Sequence, residues 1–326
     1  MAVIYNTPKS IIYDNLVFHI DPPNKNCIAE GGRTDPLTNS GVNGVKDLTG
    51  NLERNGNTIS RNDSSDSPSG DGYKPQWHTD SSPDTLGDSM GYIRYHSNGA
   101  GTTDYYYYGY LDLGAPVNGV TKFGETDCYT IDLWWKQDTT TDNYVYQAGH
   151  LLGHRDVITE WPTYSSRKYV FGSFDVGIEG SAGSNYKLRW SAGQENFETS
   201  NYKLYECVAK NIYTFGTWHH HCCVFDLGDS LGGGSKVYSY LDGTIGTGVI
   251  ATNDATIVGS GSWYNNTTNG GNIYIGGSNR QGLGQVVNDG RSNGADGGMG
   301  PFKIYNRALN ASEVKQNYDA LKWRYK

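Results

Sequence analysis

The chain has 326 residues, with 26 Lys and Arg against 34 Asp and Glu, and carries a formal net charge of −8. No stretch clusters basic residues, so neither a nucleic acid nor an anionic membrane surface is an expected partner. Residues 1–10 show no basic region followed by an apolar run, and no later segment approaches 18 consecutive apolar residues. The sequence therefore predicts neither a secretory signal nor a membrane span.

Glycine and tyrosine dominate the composition, with 44 and 26 copies, and 13% of the residues are aromatic. Aromatic residues fit pleated strands, while glycine with Asn and Asp supplies turns. Asn15–Asp21 alternates apolar side chains and predicts the first strand. Residues 24–90 are rich in Asn, Ser, Asp, Gly and Thr and predict a long polar insertion with little regular structure, interrupted by Val45–Leu48.

Further strands are predicted in chain order after this insertion. They are Met90–His96, Tyr105–Leu113, Tyr129–Lys136, Tyr169–Phe174, Lys187–Ser191, Thr217–Phe225, Lys236–Leu241, Asn272–Ile275 and Pro301–Tyr305. Asp242-Gly243 directly follows one of them and indicates a tight hairpin. The Gly-rich residues 290–300 are interpreted as a connection into the closing strand. Many short strands with Gly-rich connections predict an all-β fold of two packed antiparallel sheets, as one domain over residues 1–326.

One short C-terminal helix is predicted at Ala311–Lys322 or slightly beyond. Asn310 stands at the N-cap position, and Glu313 can reach back to it as in a capping box. Val314, Tyr318 and Leu321 recur at helical spacing and form an apolar stripe that is expected to dock on the sandwich.

The five cysteines are Cys27, Cys128, Cys207, Cys222 and Cys223. Because the count is odd and one pair is adjacent in sequence, reduced thiols are the simpler expectation.

Several segments resemble the concanavalin-A-like lectin/laminin-G-like family. The resemblance lies in GTWHHHCCVF at 216–225, VYSYLDG at 237–243, IYIGG at 273–277 and GPFKIYNRALNASEVKQNYDAL at 300–321, with weaker matches at Asn15–Asp21, Val45–Asn51 and Ile131–Lys136. They occur in family order from about residue 13 to 322. The resemblance implies a jelly-roll sandwich. The long insertion and the C-terminal segment are most similar to structural proteins of tailed phages, particularly those of cyanobacteria.

Glycoside hydrolysis is the chemistry to test first, because a related branch of the family cuts glucans. That branch carries carboxylates at E-x-D-x-E or E-x-D-x-x-E spacing, which aims them into one groove. The nearest acidic cluster here, Glu195-Asn196-Phe197-Glu198, lacks the central Asp. The sequence therefore predicts a chain that is not an enzyme.

The sequence contains residue types that could bind zinc or calcium. His219, His221 and Cys223 alternate along one strand face, but a row at this spacing is too spread to close a zinc tetrahedron alone, so a structural strand is favoured. Calcium is possible at a sandwich rim, and the acids predicted near strand ends are Asp156, Asp175, Asp242 and Asp296. None of them is assigned as a ligand.

Aromatic residues are the candidate binding groups, because their faces can stack on sugars or pack against a protein partner. The set comprises Tyr105–Tyr108, Tyr110, Trp134, Trp135, Trp161 and Trp263. The predicted contact residues are Trp161 and Trp263, which lie among turn-forming residues, with Tyr106 and Tyr108.

The resemblance leads to the hypothesis of a non-enzymatic virion structural protein, made in the host cytoplasm and acting in capsid decoration or in the neck, tail or fibre. Its expected partners are other virion proteins, with a homo-oligomer as one form. The alternative is a carbohydrate-binding adhesin that recognises host glycans.

Overall fold

The computed structural model describes residues 10–34, 45–50, 57–62, 75–79, 91–95, 107–112, 128–137, 148–159, 167–179, 187–196, 201–208, 216–226, 228–232, 236–245, 273–275 and 297–325. The first strands are β1 (Leu16–Ile20), β2 (Asn57–Asn62), β3 (Gln76–Thr79), β4 (Gly91–Tyr95), β5 (Tyr107–Asp112) and β6 (Cys128–Gln137). They are followed by β7 (Ala148–Thr159), β8 (Arg167–Glu179), β9 (Lys187–Asn196), β10 (Asn201–Val208), β11 (Trp218–Asp226), β12 (Lys236–Leu241), β13 (Thr244–Ile245), β14 (Ile273–Ile275) and β15 (Gly297–Tyr305). The helix α1 spans Ala311–Tyr325, and a short 3-10 turn covers Glu30–Gly32.

These strands form two antiparallel sheets, as predicted. The first sheet has the order β13–β12–β11–β6–β15–β4–β3, and β1 also pairs with β15. The second sheet has the order β10–β9–β8–β7–β14–β5–β2. In the part of the chain that the structure describes, no helix is long and apolar enough to cross a membrane.

The predicted strands are all present, but the described chain contains five more: β2, β3, β7, β10 and β13. β2 and β3 lie inside residues 24–90, where little regular structure is predicted. Their largely polar sequences, NTISRN and QWHT, lack the alternating apolar pattern that predicts a strand. β7 was missed because Gly153, His154 and Asp156 interrupt its apolar pattern. Pairing with a neighbouring strand overrides the weak β preference of such residues.

The closing strand β15 begins earlier than predicted, because residues 297–300 belong to it rather than to a connection. At Gly298 a Cβ atom would lie 2.6 Å from the Tyr92 ring, and at Gly300 it would lie 2.8 Å from the Tyr325 hydroxyl. Aromatic rings therefore lie directly on this strand, which only glycine permits. The register between β15 and β6 shifts between Met299 and Phe302, around Pro301, which has no N–H to donate.

The hairpin between β12 and β13 is the predicted Asp242-Gly243 turn. Leu241 pairs with Thr244, and the two central residues have φ angles of +54° and +70°. Two successive positive φ angles define the type I′ turn that a two-residue hairpin requires.

The helix α1 is capped as predicted. The Asn310 side-chain oxygen accepts from the backbone N–H groups of Ser312 at 3.0 Å and Glu313 at 3.1 Å. The Glu313 carboxylate accepts in turn from the Asn310 backbone N–H at 2.9 Å, which completes the capping box. The helix ends at Tyr325, three residues after Lys322 and within the predicted range.

The predicted apolar stripe of α1 docks on the first sheet. Val314 is fully buried against Tyr305 and Leu309, and Leu321 packs near Trp134. The Trp134 ring stacks on Tyr325 and Tyr318, with centroids 4.9 and 5.7 Å apart. The helix thus covers one face of the first sheet with aromatic rings.

Candidate functional site

The predicted contact residues fall largely outside the described part of the chain. Trp161, Trp263 and Tyr106 lie outside the described residues, as does Tyr105. Tyr108 lies in β5, where it pairs with Arg61 of β2. Their roles in binding stay predictions.

Two other aromatic candidates are excluded as a sugar platform. Trp134 and Trp135 are both fully buried in β6. Trp134 stacks under α1, and the Trp135 ring lies 5.7 Å from the Tyr95 ring. Both faces of β6 are therefore covered, and the two adjacent tryptophans pack into the protein interior on opposite sides of the strand.

Both faces of the first sheet are in fact occupied by packing. β15 is buried along its whole length, and β11 is buried from His219 to Asp226. Side chains alternate between the two faces of a strand, so burial at every position means that both faces are covered. The central strands of this sheet leave no face for a ligand.

The second sheet has an apolar face that its register defines. Leu111 of β5 and Ile275 of β14 are fully buried and pair with each other. Ile275 also pairs with Leu152 of β7, which pairs with Val176 of β8. Paired residues of adjacent strands share a face, so this apolar row marks the face turned toward the core.

The neighbouring row belongs to the opposite face. We call it the outer row; it contains Asp112, Tyr274, Gly153, Asp175 and Ser191, each paired with the next. Along β5 the two-residue period places Tyr110 and Tyr108 on the same face as Asp112. The outer face of the second sheet therefore gathers tyrosines and carboxylate residues, with a glycine between them.

A buried ion pair between Asp132 and Lys303 lies under α1. The Asp132 carboxylate accepts from the Lys303 ammonium at 2.6 Å and from the Asn317 side-chain amide at 2.9 Å, and His220 Nε2 lies 3.2 Å away. We call these four residues the Asp132 cluster; all four are fully buried. Burial alone would raise the pKa of Asp132, but Lys303 and His220 hold it well below its usual range. Without access to solvent the cluster is structural.

Asn317 connects this cluster to the N-terminal segment. Its side-chain oxygen accepts from the Ile12 backbone N–H at 2.8 Å, while its amide also donates to the Tyr305 hydroxyl at 3.0 Å. The Tyr305 hydroxyl donates to the Ile12 carbonyl at 3.0 Å. Residues from β6, β15, α1 and the chain before β1 thus meet at one buried amide.

The histidine-rich strand divides its side chains between two faces. His220 lies 5.8 Å from the Tyr318 ring on the helix side, whereas His219 and His221 lie on the other side, with ring centroids 6.3 Å apart. Burial, followed by the charge of His219, holds the pKa of His221 well below its ordinary value. Among the described residues, no three His, Cys, Asp or Glu side chains are grouped to hold a metal ion.

Two of the four acids considered for a calcium site lie within strands, while Asp242 follows the end of β12 as expected. Asp175 pairs within β8 and Asp156 within β7, so neither lies at a strand end. Asp242 lies in the hairpin, where its carboxylate accepts from the His220 backbone N–H at 3.0 Å and from His219 Nδ1 at 2.9 Å. Asp296 lies outside the described residues, and a calcium site stays a prediction.

Among the described residues, Cys27, Cys128, Cys222 and Cys223 form no disulfide. Burial raises the pKa of the Cys27 thiol to about 12. Such a thiol carries almost no thiolate at neutral pH and is inert as a nucleophile. Cys207 lies in β10.

No family model matches the chain, and no curated protein matches it. Solved structures do match over most of its length. The botulinum neurotoxin serotype C1 binding domain has a TM-score of 0.47 and 9% identity, with 94% of this chain and 52% of that chain covered. The binding domain of botulinum neurotoxin DC in complex with rat synaptotagmin II has a TM-score of 0.45 and 8% identity, with the same coverage.

A third match is domain 4 of AbnA, an extracellular arabinanase from Geobacillus stearothermophilus, in complex with arabinotriose. Its TM-score is 0.43 and its identity 12%, with 93% of this chain and 98% of that chain covered. The chain spans about half the length of the botulinum neurotoxin domains that it matches.

Proposed function

We propose that the chain is a carbohydrate-recognition module that binds glycans on the outer face of its second sheet. The observation that carries this proposal is the contrast between the two sheets. In the first sheet, β15 is buried along its whole length and β11 from His219 onward, and α1 covers one face. In the second sheet, the fully buried Leu111 and Ile275 mark the core face, and the register assigns the outer row to the opposite face, where we place the ligand.

The residue types of the outer face suit a glycan. Tyr108, Tyr110 and Tyr274 supply aromatic rings that can stack on the C–H faces of sugar rings, as well as hydroxyl groups for hydrogen bonding. Asp112 and Asp175 supply carboxylates that accept hydrogen bonds from sugar hydroxyls. Gly153 lies between Tyr274 and Asp175 in the row and allows a ligand to approach the backbone closely.

A glycan array followed by calorimetry on the strongest binder tests this proposal. We expect Tyr274→Ala and Tyr110→Ala each to weaken binding about 2- to 12-fold, the effect of losing roughly 0.5–1.5 kcal/mol of aromatic contact. Trp323→Ala is the matched control, because Trp323 is an exposed aromatic side chain, 49% accessible, on α1. Equal losses in the control and in the two tyrosine variants would contradict the proposal.

The predicted contacts Trp161 and Trp263 provide a second arm of the same experiment. If Trp161→Ala or Trp263→Ala abolishes binding while Tyr274→Ala and Tyr110→Ala leave it unchanged, the glycan binds to loop aromatics and the outer face is the wrong site. If no variant and no glycan gives a signal, the recognition function itself is wrong.

The virion role is the second candidate, and the sequence resemblance of residues 300–321 favours it. A glycan-binding module on a phage particle would act as an adhesin, and a module without glycan affinity would act through contacts with other virion proteins. Mass spectrometry of purified particles from a phage that encodes the chain should find it in the virion. Particles that lack the protein and are unchanged in stability and in adsorption would contradict both versions.

A further inference from the structure

Three polar groups are aligned at the start of β11, beside the hairpin of β12 and β13. The Thr217 hydroxyl oxygen lies 3.0 Å from His219 Nε2, and His219 Nδ1 lies 2.9 Å from Asp242 Oδ2. A hydroxyl, an imidazole and a carboxylate thus follow one another at hydrogen-bond distance, with the imidazole in the centre.

The carboxylate determines which imidazole nitrogen carries the proton. An ionised carboxylate can only accept, so His219 Nδ1 donates to Asp242. In the neutral imidazole Nε2 then has a lone pair, which accepts the hydrogen bond from the Thr217 hydroxyl. This is the arrangement of a nucleophile and its general base, with a third group orienting the base.

Asp242 is held in place independently of His219. Its Oδ1 accepts from the His220 backbone N–H at 3.0 Å, and its own N–H donates to the His220 carbonyl at 2.8 Å. These two bonds attach the hairpin to β11. Oδ2 is therefore left to orient His219, which is only 7% exposed.

The nucleophile side of the arrangement is open. Thr217 is exposed, unlike His219 behind it. Gly216, directly before it, has a φ angle of +75°, and a Cβ atom placed there would meet no atom of the described residues within 4 Å. A small substrate can therefore approach the hydroxyl from this side, while the base is shielded from bulk water.

We propose that Thr217, His219 and Asp242 form an acyl-transfer site for small carboxylic esters, an activity beyond the proposed glycan recognition. The Thr217 oxygen attacks the ester carbonyl as His219 Nε2 takes its proton. The C–O bond to the alcohol breaks, and the alcohol leaves with that proton. Water then attacks the acyl carbon as His219 Nε2 takes one of its protons. The bond from that carbon to the Thr217 oxygen breaks, His219 returns the proton to this oxygen, and the carboxylic acid is released. Asp242 positions the imidazole and stabilises its charged form.

Covalent labelling with an alkyl fluorophosphonate tests the first step directly. The Thr217 oxygen would form the bond to phosphorus, fluoride would leave, and His219 would take the proton. We expect one label per chain, located on Thr217 by peptide mass spectrometry, and hydrolysis of p-nitrophenyl acetate above the rate of buffer. General base catalysis contributes about 10²–10⁴-fold to such a step.

The variants separate catalysis from structure. Thr217→Val keeps the shape of an exposed side chain and should abolish both labelling and hydrolysis, whereas Thr217→Ser should retain them. Thr244→Val is the matched control, an exposed threonine in the same hairpin, and should behave as the wild type. Asp242→Asn, in protein shown by its melting curve to be folded, should slow labelling at least tenfold.

Two results would contradict the acyl-transfer proposal. No label on Thr217, or a label and a hydrolysis rate that Thr217→Val leaves unchanged, would show that the three residues only fasten the hairpin to β11. Glycan binding is measured separately on the other sheet, so its presence or absence does not decide this outcome.

Discussion

The buried histidine His19 makes the stability of the fold depend on pH. Desolvation by burial, followed by the charge of Lys303, lowers its pKa to about 4, although Asp21, Asp132 and Asp47 nearby act in the opposite direction. The unfolded chain, with a histidine pKa near 6.5, therefore binds more protons than the folded chain between these two values. Stability is fully present above pH 6.5 and falls as the pH decreases toward 4.

We expect the free energy of unfolding to decrease between pH 7 and pH 5, and His19→Asn to make this decrease shallower. The difference between the unfolded-state pKa of 6.5 and the folded-state pKa of about 4 corresponds to about 3 kcal/mol of unfolding free energy for this one residue. Urea denaturation at a series of pH values measures the slope, and the range above pH 5 avoids the titration of most carboxylates. Identical slopes for the wild type and His19→Asn would contradict this assignment.

Lys303 is the most consequential single charge in the Asp132 cluster. Removing one partner of a buried ion pair leaves the other charged and desolvated, at a cost of about 3–5 kcal/mol. Lys303→Met should therefore lower the free energy of unfolding by this amount. Lys322→Met is the control, because Lys322 is paired with Asp319 at the surface, where solvent screens the pair and its loss should have little effect. Chemical denaturation measures the free energy of unfolding of both variants. Equal losses would show that the buried pair of Lys303 and Asp132 contributes no more than a surface pair.

At the scale of elements, the strand-to-helix segment at the C-terminus was predictable because its signals are local. The capping residues Asn310 and Glu313 lie three positions apart on the chain, and the stripe at Val314, Tyr318 and Leu321 repeats within one helix. The Asp242-Gly243 turn is equally local, because its φ angles depend on those two residues.

The cap provides a direct test of this element. Asn310→Ala removes the oxygen that accepts from the backbone N–H groups of Ser312 and Glu313, and should cost about 1 kcal/mol. Asn306→Ala is the control, since Asn306 is also an exposed asparagine but lies before the helix. Thermal unfolding compares the two variants. A loss for Asn306→Ala as large as that for Asn310→Ala would show that the cap does not stabilise the docked helix.

Other elements could not be predicted, for physical reasons. The Asp132 cluster joins residues that are 171 and 185 positions apart in sequence, and no local pattern of IDLWWK marks its aspartate as buried. The strand role of residues 297–300 depends on the rings of Tyr92 and Tyr325, which pack where the glycines leave room. The outer row appears only once five strands, β5, β14, β7, β8 and β9, are aligned in register.

At the scale of the whole molecule, the two sheets have different roles. The first sheet holds the Asp132 cluster and the docked helix, and its central strands are buried on both faces. The second sheet directs its apolar row toward the core and places tyrosines and aspartates on the opposite face. A net charge of −8 adds no attraction for polyanions, so a neutral glycan suits the outer face better than an acidic one.

Hydrogen exchange measured by mass spectrometry, with and without the strongest glycan from the array, tests the location of binding most directly. We predict slower exchange on glycan addition in β5, β7, β8 and β14, the strands that carry the tyrosines, Gly153 and the two aspartates of the outer face. Exchange in α1 should not change. Protection confined to α1 and the first sheet, with the four outer-face strands unaffected, would contradict the assignment of glycan recognition to the second sheet.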